Sequence, residues 1–434
     1  MTRLELGDIQ GNVLRSYGMR RAAYVSVRVL GPRAGRALLG RLRHRIYSDE
    51  RWDGTPARAV NVAISARGLT ALGLPADIVG SFPPEFRDGM AARRRQLGDR
   101  GPNGPAHWEP GLRGGIDLLV GIHAFDDQER DAGVRELRDD IAGTRGRLQI
   151  VHVQRAAQQA RMREGFGFRD GFGQPAVAGV PVKSLAGQGA RTRTRRWRPL
   201  EAGEFVLGYR DDDGVLPDAP VPPFDRNGTF MVYRKLEQDV AAFDRLLVEL
   251  AGEHFDGDTE LAAAKLVGRW RNGAPLVTHP APPSGDIERG DYNDFLYRDD
   301  ADGYRCPLGA HIRRANPRDA LPGGIRRSRR HRIIRRGMPY DEGPNGQGLV
   351  FVCFNASIAR QFEVVNGWLR EGDVFGLAGE TDALTGWTRG RGRMTVQGSL
   401  PVLIETRPVV RTRGGEYLFV PSLSAIDALI DGTI

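Results

Sequence analysis

The sequence predicts an α+β fold made of two ferredoxin-like (split βαβ) halves, each an antiparallel sheet with peripheral helices. Three observations lead there. Hydrophobic periodicity from Tyr24 to Val153 runs strand, helix, strand, strand, helix, strand. The same order returns with longer insertions between Thr229 and Val420. A polar, Arg/Gly-rich stretch, Gly179 to Gly203, lies between the two, and the boundary is drawn there as 1–190 and 191–434.

The elements follow one by one. Val25, Val27 and Val29 alternate with Ser26 and Arg28, the period of a half-buried strand. Pro32 suits a first helical turn, and Ala34, Leu38 and Leu42 recur every fourth residue after it. Val60, Val62 and Ile64 alternate again; a Gly/Pro-containing excursion leads to the apolar run Leu118–Ile122. Asp126 or Asp127 can cap a helix with Val134, Leu137 and Ile141 on one face, and Leu148–Val153 closes the half. In the second half, Thr229–Arg234 reads as a strand. Val240, Phe243, Leu246, Leu247 and Leu250 mark a helix opened by Asp239. Then come strands at Arg332–Arg335 and Leu349–Asn355, a helix from Ser357 carrying Ile358, Phe362, Val365 and Leu369, and a final strand Tyr417–Val420. The two halves share this order without any direct residue-level repeat.

Composition excludes several classes. The 434 residues are 40% hydrophobic and 27% charged, an ordinary globular balance, and no apolar run approaches the roughly 18 residues that a membrane span needs. Of 63 basic residues, against 54 acidic ones, all but Lys183, Lys235 and Lys265 are arginine, so the net charge of +9 is spread as a solvated Arg-rich surface. The densest patches are Arg191–Arg198 and Arg326–Arg336. A ferredoxin-like RNA binder would carry an aromatic strand of the form Lys/Arg-Gly-Phe-Gly-Phe-Val, and Phe166-Gly167-Phe168 is only an echo of it. No nucleic-acid partner is therefore expected. Cys306 and Cys353, isolated in sequence, point to a reducing compartment, and Met1–Gly11 has no apolar signal region, so a cytoplasmic protein starting near Met1 is expected. A homo-oligomer is compatible with this composition.

Zinc-hydrolase histidine spacings, a serine nucleophile elbow and phosphate loops are missing from the sequence. Two unusual segments remain. In Glu164-Gly165-Phe166-Gly167-Phe168-Arg169-Asp170-Gly171-Phe172-Gly173-Gln174-Pro175, alternate glycines bring backbone close to something flat or bulky. Asp170 there is either an acid/base group or an Asx-turn. The second segment is Cys306-Pro307-Leu308-Gly309-Ala310-His311-Ile312-Arg313-Arg314-Ala315-Asn316-Pro317-Arg318, whose lone His311 spacing alone does not make a metal ligand.

Together these segments resemble the dye-decolourising haem peroxidases, with Gly167–Gly171 as the family's G-x-x-D-G motif and the His311 segment as its haem-ligand motif. Asp8–Leu14, Gly89-Met90, Leu97-Gly98-Asp99, Gly203–Tyr209, Lys265–Trp270, His331–Gly337 and Gly414–Tyr417 extend the likeness over essentially the whole chain. The resemblance implies one haem b between the halves, with His311 as axial ligand to the iron. Asp170 and Arg335 would be the distal pair, Leu349 and Phe351 would shape the distal pocket, and Arg313 and Arg318 would lie near the haem carboxylates. It implies reduction of hydrogen peroxide and one-electron oxidation of organic donors, dyes and phenols, through a ferryl intermediate. Chemically the pair suits O–O cleavage: a carboxylate can relay the proton, and an arginine stays charged to stabilise the anion that forms. An acidic optimum follows from a carboxylate beside a fixed cation. Trp368, Trp387, Tyr340 and Tyr417 are either electron relays or packing aromatics. Family members usually carry His where Gly165 stands. Glu363 and Glu405 are unranked candidates for the acid behind His311. A haem-binding or iron-handling protein of the same fold is the alternative within this resemblance.

Overall fold

The computed structural model describes residues 3–434 apart from 53, 193, 195, 286–289, 291, 344, 345 and 387–389. Eleven strands carry the architecture: β1 (Arg21–Val29), β2 (Arg58–Ile64), β3 (Leu118–Ala124), β4 (Leu148–Ala157), β5 (Thr229–Gln238), β6 (Ile334–Arg335), β7 (Met338–Asp341), β8 (Gln347–Asn355), β9 (Gly392–Val396), β10 (Val402–Thr406) and β11 (Val410–Val420). The helices that matter for the site are α1 (Pro32–Arg43), α2 (Pro84–Ala92), α3 (Asp127–Ala142), α4 (Val240–His254), α5 (Thr259–Val267), α6 (His311–Ala315), α7 (Val364–Arg370) and α8 (Leu423–Asp431).

Strands of the first half lie in the order β4-β1-β3-β2 and those of the second in the order β11-β5-β8-β6, with β7 also on β8. Both are the 4-1-3-2 order of a ferredoxin-like unit, so the duplication read from hydrophobic pattern is a duplication of topology. The two sheets are not stacked face to face. They join edge to edge where Ile64 of β2 pairs with Phe419 of β11, giving one antiparallel sheet.

Period-2 alternation sorts the side chains. Val25, Val62, Val120, Phe230 and Phe419 pack on one face against Leu38 and Leu42 of α1, Leu137 of α3 and Ile426 of α8. Tyr24, Leu119, Met231, Val352 and Leu418 fill the other, under a cover that includes Ile9, Val13, Phe205 and Val206. Asp126 caps α3 by accepting from Glu129 N at 2.8 Å, and Asp239 caps α4 through Ala242 N at 2.8 Å.

Two elements differ from their sequence reading. The strand expected over Arg332–Arg335 shrinks to Ile334-Arg335, paired with Phe354 and Cys353, and Arg332 lies outside the ladder where it lines a cavity. The helix expected from Ser357 begins with a π-helical turn, Ala359–Glu363, before α7. That widened turn sets Phe362, Val365 and Leu369 against the same cavity. Among the described residues, no helix is long and apolar enough to cross a membrane.

Candidate active site

Residues of β5 and β8 that share one face, Arg234, Leu236, Gln238, Leu349 and Phe351, form the floor of a cavity of about 380 Å³. Leu349 stands opposite Leu236 and Phe351 opposite Arg234 in the ladder, so sheet register sets this floor. Phe362, Val365 and Leu369 from α7 and its π-turn line it as well, as do Val267 and Ile312. The Gly-rich segment 164–173 adds a further wall from the first half. Both halves therefore line the cavity.

The Gly-rich segment is held by its own acid. Glu164 accepts from Phe166 N at 3.1 Å and Phe168 N at 2.9 Å, and Gly167 and Gly171 adopt φ of +86° and +90°. Both lie in the left-handed region where glycine carries no steric cost, which explains the spacing of the motif. The turn presents Asp170 to Arg335 of β6, with Arg335 Nη2 donating to Oδ1 at 2.9 Å and Nη1 to Oδ2 at 3.3 Å. Gln174 fixes the Arg335 backbone by accepting its N–H at 2.9 Å. Asp170 is ringed by protein, yet 41% of its side chain faces the open cavity. Burial pushes its carboxyl up. The Arg335 charge and hydrogen bonds, the Gly171 N–H and the charge of His311 outweigh that and leave the carboxyl below its ordinary value.

His311 opens α6 and lines the same cavity. Its Nδ1 bonds Asp382 Oδ2 at 2.9 Å, which leaves Nε2 as the nitrogen for the cavity. Asp382 is wholly buried, and its Oδ1 accepts from Leu384 N at 3.1 Å, Thr385 N at 2.7 Å and Thr385 Oγ1 at 2.8 Å. Burial alone would lower the imidazole pKa; the Asp382 charge and hydrogen bond turn the shift upward. Neither acid named from the sequence reaches this ring. Glu363 is bound by Arg93 and accepts from Tyr417 Oη at 3.0 Å, and Glu405 is held on the surface by Arg391 and Arg393.

The two arginines expected near haem carboxylates part company. Arg313 does not line the cavity: its guanidinium donates to the carbonyls of Asp300, Cys306 and Ala301 at 2.9, 3.0 and 3.1 Å and covers the Tyr297 ring. Two positions along a helix turn a side chain by about 200°, so Arg313 points away from the side His311 faces. Arg318 does line the cavity while donating to Asn293 O and Phe295 O at 2.9 Å. Arg332, given no role at the site in the sequence reading, lines it too. Its guanidinium makes a long 3.5 Å approach to Gly173 O, and burial, reinforced by Arg318 and Arg335, pushes its pKa down to about 9. Gly165 is crowded: a Cβ there would lie 2.8 Å from Oε1 of Gln238, which reaches Glu164 at 2.6 Å. Gln238 thus occupies the room of a side chain at 165.

Among the relay candidates, Trp368 packs its ring 4.9 Å from that of His331, a cavity-lining residue. Tyr340 lies under Lys235 on the other face of the sheet, and Trp387 lies outside the described residues.

Duplicated ferredoxin-like halves around a shared cavity are the architecture of a known class of peroxidase. The structure matches that of a dye-decolorizing peroxidase complexed with 2,6-dimethoxyphenol at a TM-score of 0.82 and 26% identity, covering 98% of this chain and 99% of that one. Residues 211–394 match the family model described as Dyp-type peroxidase, C-terminal. The dye-decolorizing peroxidase of Mycena epipterygia is 30% identical over 87% of this chain and 77% of its own. The multifunctional dye peroxidase DyP2 of an Amycolatopsis species is 31% identical over 87% and 82%. The chain belongs to the dye-decolourising peroxidase family and is an oxidoreductase.

Proposed function

We propose that this peroxidase holds haem b in the cavity through Nε2 of His311 and reduces hydrogen peroxide beside Asp170 and Arg335. Phenols and dyes serve as one-electron donors. In this reading residues 1–190 supply Asp170, and residues 191–434 supply His311 and Arg335.

The residues present fit such a group. An apolar lining from Leu349, Phe351, Val267 and Ile312 suits a flat macrocycle. Arg332 is a half-buried cation with one long hydrogen bond, and with Arg318 it suits two propionates. His311 carries the buried carboxylate that fixes its tautomer. Bound there, a haem would supply the two electrons that break the O–O bond, and the donors would replace them one at a time.

Asp170, held ionised by Arg335, takes the proton from one peroxide oxygen and delivers it to the other, which leaves as water. Arg335 stabilises the negative charge that grows on the departing oxygen. Leu349 and Phe351 line the same cavity and, in this reading, shape the space in which peroxide reacts. The observation that carries the reading is the Asp170–Arg335 pair facing the same cavity as an imidazole braced by Asp382.

Steady-state peroxide turnover tests it. Asp170→Asn and Arg335→Leu are each expected to lower the rate by at least about a hundredfold, the usual size of a proton-transfer or electrostatic contribution. A loss below about threefold in both contradicts the mechanism.

A further inference from the structure

Between β4 and the Gly-rich segment the chain turns through Arg161 and Met162, at φ of +55° and +58°. Two successive non-glycine residues in the left-handed region are costly, so neighbouring contacts must hold the turn. Those contacts lead to the distal acid. Met162 O accepts from Asp170 N at 2.9 Å, and inside that bond Glu164 N donates to Phe168 O at 3.0 Å, so Met162 and Asp170 close the base of one hairpin-like turn. A Cβ at Gly171 would lie 2.5 Å from the Met162 methyl. Gly171 therefore meets two demands, its φ of +90° and a methyl seated against it.

The same side chain is open to solvent. Met162 is 40% exposed, whereas Met19, Met90, Met231 and Met394 are buried and Met338 is half-buried. Among the described methionines, the exposed thioether is thus the one packed on the turn that carries Asp170. Oxidation there would turn a flexible apolar side chain into a polar one at a contact that depends on its being apolar.

We infer that Met162 is a modification site for hydrogen peroxide, and that its sulfoxide slackens the turn carrying Asp170. This rests on the peroxidase reading above, which supplies the peroxide. One peroxide oxygen forms a bond to sulfur as the O–O bond breaks; the thioether gives up two electrons, and the other oxygen takes the remaining proton and leaves as water. Donors keep peroxide low by sustaining turnover. When peroxide outlasts them, the sulfoxide lowers activity, and reduction of the sulfoxide restores it.

The test exposes the holoenzyme to excess hydrogen peroxide without a donor and follows Met162 by peptide mass spectrometry beside residual turnover. Met162 is expected to gain one oxygen before Met19, Met90, Met231 and Met394, with activity falling in step by about fivefold or more at full conversion. Methionine sulfoxide reductases acting on both epimers are expected to restore it. Met162→Leu, apolar and without sulfur, is expected to start within about twofold of the wild type and to resist the loss, whereas Met162→Gln, polar like the sulfoxide, is expected to start low by a similar factor. Activity that falls with Met162 unmodified, full conversion with activity kept, or a Met162→Leu enzyme that fades at the wild-type rate overturns the inference. The peptide mass is read without turnover, so a wrong distal pair shows separately, as Asp170→Asn and Arg335→Leu enzymes that keep their activity.

Discussion

The two acids that serve the cavity are built in opposite ways. Asp382 is fully enclosed, with four hydrogen bonds dividing its two oxygens between His311 and the 384–385 turn. Among the described residues, Asp170 has a single side-chain partner, Arg335, and 41% of its side chain is exposed. In both, burial alone would raise the carboxyl pKa, and in both a neighbouring positive group brings it below the ordinary value. What separates them is access. A group that orients an imidazole works best over-determined, whereas a group that must take and return a proton needs an open side.

Breaking the closed acid is expected to give the largest effect on the holoenzyme itself. Asp382→Asn should weaken haem binding about 10- to 100-fold, since the group behind a ligating histidine sets its tautomer and basicity. Haem titration followed by absorption measures this, and Asp170→Asn is expected to bind haem as the wild type does. Equal weakening in both variants would erase the contrast between the two acids.

A pH profile sharpens the other side. With the Asp170 carboxyl depressed in the folded enzyme, kcat/KM for peroxide should stay high into the acidic range and fall only as pH drops through that depressed pKa. Burial, no longer opposed by the guanidinium, raises the carboxyl in Arg335→Leu. The acid limb of whatever activity remains should then move to higher pH. An unmoved limb means that Asp170 is not the titrating group.

The smallest expected effect concerns position 165. Gly165→His places a side chain where Gln238 sits, and overpacking of this kind costs about 1–3 kcal/mol. Thermal unfolding should show the loss, and Gln238→Ala in the same chain should restore most of it. A single variant as stable as the wild type would show that Gln238 gives way freely.

Much of this contrast divides along what a sequence can carry. Period-2 runs such as Val25/Val27/Val29 announced the strands, and the 4-1-3-2 order followed from their sequence. Asp170, His311 and Arg335 sit in dense local motifs whose glycines and prolines leave a trace. Asp382 leaves none: it meets His311 across 71 positions from a turn without periodicity. Arg332 shared its patch with Arg335, but only the fold shows it short of partners beside a cavity. Arg313 misled because motif membership says nothing about the side of a five-residue helix. The arginine patches at 191–198 and 326–336 stood out in the sequence, yet several of their charges meet Asp212 and Asp213, 14 or more positions away from Arg198 and over a hundred from Arg329.

The central claim is that one cavity carries a haem on His311. The most direct measurement is the absorption spectrum of the chain titrated with haem, for the wild type and for His311→Ala. The wild type should saturate at one haem per chain with a sharp Soret band that changes on adding peroxide. In His311→Ala that band should shift and binding weaken, with external imidazole restoring the wild-type spectrum. A variant that binds haem with unchanged affinity and an unchanged spectrum would contradict the assignment.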